Sequence, residues 1–121
     1  MSLSPQVREE IRRLDPQLIQ ESQNLAKELR SSAERQIRNI MEAADQASCW
    51  EAVELFIHYQ AARGALERGW AQSLIEKLKG LEKQAEDIAR SHGAPKTAVH
   101  LALIARFLGY LTRWDVIRFR S

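Results

Sequence analysis

Leu66, Trp70, Leu74, Leu78, Leu81, Ala85 and Ile88 recur every three or four residues. That spacing returns to the same side of an α-helix at each turn, whereas a strand alternates its faces at every residue. A helix of this kind must lay its apolar stripe on other helices, which predicts a bundle.

The same period runs through most of the chain. Leu18, Leu25, Leu29, Ala33, Ile37, Ile40 and Ala44 fall on one arc at 100° per residue, opposite Lys27, Arg30, Glu34, Arg35, Arg38 and Glu42. This predicts one long amphipathic helix over 16–44. Upstream, Ser4-Pro5 has the form of an N-cap followed by proline in the first helical turn, opening a short helix that runs to about Leu14. Asp15-Pro16 repeats that signal at the head of the long helix.

Ser48-Cys49-Trp50-Glu51 has the spacing of a capping box and predicts a further helix with Val53, Phe56, Ile57, Gln60 and Ala61 on its inner face. Gly64 or Gly69 is placed to end it, kink it or admit a close neighbour. The helix from Leu66 stops at His92-Gly93, with Pro95 just beyond. The last helix begins near Pro95 and is apolar on most of its surface from Val99 to Leu111, as expected of a central helix. The fold class is therefore all-α, a bundle of about four to five helices. A chain of 121 residues with no linker or repeat predicts a single domain over 16–121, with residues 1–15 as a short N-terminal helix or arm.

Charge is unevenly spread. From residue 96 onward, Lys96, Arg106, Arg113, Arg118 and Arg120 face the single acid Asp115. The remaining 13 basic and 15 acidic residues leave the body slightly acidic. The C-terminal helix is thus a positive element, drawn to phosphate or to an acidic partner. The single cysteine, Cys49, cannot form an internal disulfide, fits a reducing compartment and reads as a small residue near a helix start. No signal segment and no apolar run of about 18 residues is present, so a cytoplasmic location away from membranes is expected.

Nothing in the sequence has the pattern of a catalytic site. His58, His92 and His100 lie on different segments, without the spacing of metal ligands, so neither a metal nor a cofactor is expected. Gly93 to Thr97 ends in Lys-Thr like a phosphate-binding loop but lacks its glycine spacing and its preceding strand. The carboxylates fall on solvent-facing arcs beside Lys and Arg. An enzyme is not expected.

The feature that points to function is a row of arginines. Arg106, Arg113 and Arg120 are spaced by seven, which stacks them along one side of a helix about 10 Å apart, with Ala102 and Gly109 on the same line. Guanidinium groups in such a row suit a sugar-phosphate backbone, since each can fork onto phosphate oxygens without reading a base. The row also has a structural explanation, in which the arginine stems cover apolar neighbours or pair with acids such as those of the segment Glu76 to Asp87. Tyr110, Trp114 and Phe119 are interleaved and read first as core rather than as base-stacking groups. Tyr59 and Arg63, one turn apart, read first as a packing pair.

Two stretches resemble the Csm-type small subunit of type III CRISPR effector complexes. Val53 to Arg63 (VELFIHYQAAR), an apolar run followed by Tyr-x-x-x-Arg, is similar to that family's mid-chain helix. Leu103 to Trp114 (LIARFLGYLTRW) resembles its C-terminal helix, where an Arg-Phe pair precedes an apolar, aromatic-rich end. Together they cover about a fifth of the chain. The sequence departs from the family in its long N-terminal helix and in the extended helix between the two stretches. The resemblance implies a non-catalytic subunit of an antiviral ribonucleoprotein, present in more than one copy, that contacts guide and target RNA by their backbones and packs on other subunits. Arg63 and Arg106 are the matched basic positions. With Arg113 and Arg120 from the row and Arg118 from the basic tail, they make the candidate nucleic-acid-binding set. The competing expectation is a protein-binding helical adaptor or oligomerisation module without nucleic acid, its long helix pairing with a partner helix.

Overall fold

The computed structural model describes residues 3–120. Among them the chain is entirely helical, in seven segments: α1 (Pro5–Arg12), α2 (Asp15–Ala26), α3 (Glu34–Gln46), α4 (Trp50–Ala62), α5 (Arg68–Gly80), α6 (Glu82–His92) and α7 (Lys96–Arg120). The all-α class is as the periodicity predicts. The segments outnumber the expected four to five because both long helices are broken.

The helix expected over 16–44 is two helices, with an intervening stretch that turns the chain back. Its break is made by distant residues. The Trp70 indole N–H donates to the Leu25 carbonyl at 2.9 Å and the Arg118 guanidinium to the Ala26 carbonyl, so the last carbonyls of α2, which also accept i−3 bonds from the Glu28 and Leu29 N–H groups, are held by tertiary partners. Beyond the turn, Asp115 of α7 accepts from the Ser32 hydroxyl and from the Ala33 backbone N–H, each at 2.7 Å. Ala33, the N-cap residue of α3, has no side chain able to cap, and the carboxylate from α7 supplies that function. Leu29 and Ala33 are buried within the turn, so the apolar arc continues across a place where the helix does not.

The second long helix is broken at Leu81, which ends α5 and begins α6 and is itself buried. Its N–H reaches back to the Leu78 carbonyl in a tight i−3 bond. The same carbonyl accepts from His100 Nε2 of α7 at 2.9 Å, which fixes the ring nitrogen that carries the proton. All seven apolar positions from Leu66 to Ile88 are buried, so the stripe is right although the helix is not straight.

The capping box is not formed. The helix starts one residue later than Ser48 requires, with Cys49 as N-cap and no side-chain cap bond. Trp50, its first residue, is buried with its ring centroid 5.6 Å from that of His100, and this packing sets the start. Gly64 answers the open choice at the other end. It follows α4 at φ +81°, a left-handed conformation that glycine adopts without strain, while Gly69 lies within the first turn of α5. Gly93, at φ +63°, ends α6 as expected.

α7 is the axis of the bundle. Val99, Leu103, Ile104, Phe107, Leu108 and Leu111 are fully buried among the other helices. α2 runs parallel to it, Asp15 lying opposite Arg106, Ile19 opposite Trp114 and Ala26 opposite Arg118. α3 runs antiparallel, its start at Asp115 and Arg120. α1 packs on α6 and α7 with Val7 and Ile11 buried, so this short N-terminal helix is joined to the common core. α4 lies at the edge, packed on α3 and α5 and touching α7 only lightly.

Candidate nucleic-acid interface

The arginine row lies on the side of α7 between α2 and α3, half-exposed at Arg106 and Gly109 and exposed at Arg113 and Arg120. Arg106 is held by Asp15, the first residue of α2: its Nε and Nη2 donate to Oδ1 and Oδ2 at 2.6 and 2.9 Å. The hydrogen bond from Arg106 holds the Asp15 carboxyl below the ordinary carboxylate value against the opposing effect of burial, with the Tyr110 hydroxyl and Arg12 adding to it. In return Asp15 stabilises the charged guanidinium, and burial together with Asp15 pushes the Tyr110 hydroxyl up. Of the five guanidinium N–H donors, the carboxylate engages two and leaves three for another partner.

Arg120 donates to Glu34 at 2.6 Å, and the other oxygen of that carboxylate holds Arg38 at 3.0 Å. Arg113, between them in the row, lies 5.5 Å from the Tyr110 ring centroid and has no carboxylate partner among the described residues. The row is therefore not three free cations: two are tied to Asp15 and Glu34, and neither acid belongs to the segment Glu76 to Asp87 named as the alternative source. Arg118 lies off the row and closes the end of α2, its partner a neutral carbonyl, with its guanidinium 4.8 Å from the Phe119 ring. Arg63 is the C-cap residue of α4 and lies over Tyr59 at 5.6 Å. Tyr110, Trp114 and Phe119 are half-buried against the core, and the Trp114 indole N–H donates to the Ile19 carbonyl at 3.0 Å. They serve packing first, as expected.

The structure adds residues that the row does not contain. The turn from α2 to α3 closes over the C-terminal end of α7, and Arg30 on it reaches Glu67 of the α4–α5 connection at 4.0 Å. These contacts, with those of Trp70 on Leu25, Arg118 on Ala26 and Arg120 on Glu34, set the α2–α3 turn, the α4–α5 connection and the end of α7 at one end of the bundle, and these stretches carry Lys27, Arg30 and Arg35, then Arg63 and Arg68, then Arg113, Arg118 and Arg120. The acids there are Glu28, Glu34, Glu67 and Asp115, and Asp115 is consumed internally in capping α3. Lys27 and Arg35 are exposed and, among the described residues, carry no ion pair. Read along the sequence, both belong to the mixed-charge outer face of a long helix. Only the break between α2 and α3 brings them to the α7 end.

The histidines are separated: His58 faces Glu54 at 3.5 Å on α4, His92 is exposed at the end of α6, and His100 is in the core. Among the described residues no group of three or more His, Cys, Asp or Glu is placed to hold a metal, and no helix is long and apolar enough to cross a membrane.

Fold and charge together define a class, an all-helical bundle with one basic end. No family model matches the chain, and no curated protein or solved structure is significantly similar to it.

Proposed function

We propose that the chain is a non-catalytic subunit of a ribonucleoprotein, of the kind that the small subunit of type III CRISPR effector complexes represents. Its role in this reading is to hold guide or target RNA by the sugar-phosphate backbone while packing on neighbouring subunits in the cytoplasm. The observation that carries the reading is the basic end of the bundle, where eight cationic side chains from three separate stretches meet four acids, one of them buried in a helix cap. Such a surface attracts phosphate without distinguishing bases, since cations on helix ends and turns offer no ordered set of donors for a base edge. Arg113 is the central contact, with Lys27 and Arg35 on the turn and helix start that close the same end of the bundle. Arg106 and Arg120 contribute the donors that Asp15 and Glu34 leave unused. The resemblance of 53–63 and 103–114 to the Csm-type subunit supports the same assignment.

The test is filter binding of single-stranded RNA by nuclease-treated protein over a salt series. Affinity falling linearly with the logarithm of salt, equally for unrelated sequences, supports backbone binding. Absence of binding, or binding indifferent to salt, overturns it in favour of the adaptor reading.

A further inference from the structure

Apolar side chains remain uncovered on α4. Leu55 is 70% exposed and Tyr59 57%, on a helix that is apolar around most of its circumference yet lies at the edge of the bundle. A helix of that composition is ordinarily enclosed on both sides. Ala52 and Ala62 flank the pair on the same face, and Glu51 and Arg63 lie at its two ends, all four exposed. At 100° per residue these six positions span an arc of about 120°. Neither Glu51 nor Arg63 has an ion-pair partner among the described residues.

The order of these residues is symmetric about Ile57. Glu51 and Arg63 stand six residues either side of it, Ala52 and Ala62 five, Leu55 and Tyr59 two. A helix with that pattern is complementary to itself when turned end for end. In an antiparallel pair, Leu55 meets Tyr59 of the other copy in the centre, the alanines let the backbones approach, and Glu51 meets the opposite Arg63 at both ends. A two-fold interface requires this correspondence, in which residue i contacts j and j contacts i. A parallel pair would set Glu51 against Glu51 and Arg63 against Arg63.

We infer that the exposed face of α4 is a docking surface for a second copy of this chain, paired antiparallel about a two-fold axis that crosses this face at the level of Ile57, itself buried on the opposite side. The inference stands independently of RNA binding. A 13-residue helix offers about 20 Å of contact, at the small end of specific interfaces, so a dissociation constant on the order of 10 µM is expected. The two basic ends then point away from each other.

Charge reversal tests the pairing, because both positions are exposed and circular dichroism can confirm the fold. Sedimentation equilibrium of nuclease-treated protein should show a wild-type monomer–dimer equilibrium. Glu51→Arg and Arg63→Glu should each weaken it about tenfold or more by placing like charges opposite each other. The double variant E51R/R63E, and an equimolar mixture of the two single variants, should recover dimers to within about threefold of wild type. A wild type that stays monomeric at about 100-fold above the expected constant overturns the proposal, as does a double variant no better than the singles. RNA binding reports separately, since a double reversal that restores the dimer restores no phosphate contact at position 63.

Discussion

The carboxylate of Asp115, 1% exposed on the last helix, accepts the Ala33 backbone N–H that the third helix leaves unpaired. With the Ser32 hydroxyl on its other oxygen, it fixes the turn that reverses the chain between α2 and α3. Replacing it by alanine removes a charged cap and strands a buried N–H, at a cost of about 2–3 kcal/mol. Asp115→Asn keeps one acceptor and should cost about 1 kcal/mol. Urea denaturation of the two variants measures the difference, and equal stabilities would mean that the turn does not depend on this bond.

Arg106 and Asp15 form a two-bond pair with both side chains part-exposed. Removing either by alanine should therefore lower stability by only about 1 kcal/mol, the exposed geometry reducing what a buried pair would contribute. The double variant should cost little more than one single, because the residues share one interaction. Additive losses in a double-mutant cycle would show that each acts through other neighbours.

The pair also sets an acid limit. Asp15 titrates below its ordinary value of 3.8 in the folded chain, so the unfolded chain binds its proton first as pH falls. The stabilisation is complete above that ordinary value and is lost as pH drops through the lower folded one. Stability should be insensitive to this group between about pH 5 and 8, and the wild-type excess over Asp15→Asn should shrink below about pH 4. A constant difference down to pH 2 would remove Asp15 from the acid response.

Two glycines should respond in opposite directions. Gly64→Ala forces a Cβ into a left-handed turn at φ +81° and should destabilise by about 1 kcal/mol or more although the space around it is open. Gly109 is helical, and an added Cβ would lie 3.9 Å from Met41 Cε, an ordinary contact. Gly109→Ala should raise stability by about 0.5–1 kcal/mol. Thermal melts of the two variants shifting in the same direction would contradict this account.

These cases show what sequence could and could not reveal. The stripe from Leu66 to Ile88, the axial position of α7 and the Gly93 stop were legible because burial and helix termination are written at local spacing. The breaks at 27–33 and at Leu81 were not. Their hydrogen bonds come from Trp70, His100, Asp115 and Arg118, far along the chain, while the apolar arc passes through both breaks unchanged. The tandem Ser31-Ser32 was the one local signal for the first break. The candidate interface suffered from the same limit. A seven-residue spacing places Arg106, Arg113 and Arg120 in a row, but only the packing of α2 and α3 reveals that Asp15 and Glu34 occupy two of them. It also takes the turn to bring the stretches that carry Lys27 and Arg35 to the C-terminal end of α7.

The most direct measurement is the salt dependence of single-stranded RNA binding for wild type and for a variant carrying Lys27→Gln, Arg35→Gln and Arg113→Gln. Among the described residues these three cations have no ion-pair partner, and only Arg113 makes a ring contact, with Tyr110, so their loss should leave circular dichroism unchanged and stability within about 1 kcal/mol. If they hold phosphates, affinity falls and the slope of log K against log salt flattens by about 2, from a contribution of roughly 0.7 per contact. A variant that binds with the wild-type slope would contradict a basic end that grips RNA by its backbone.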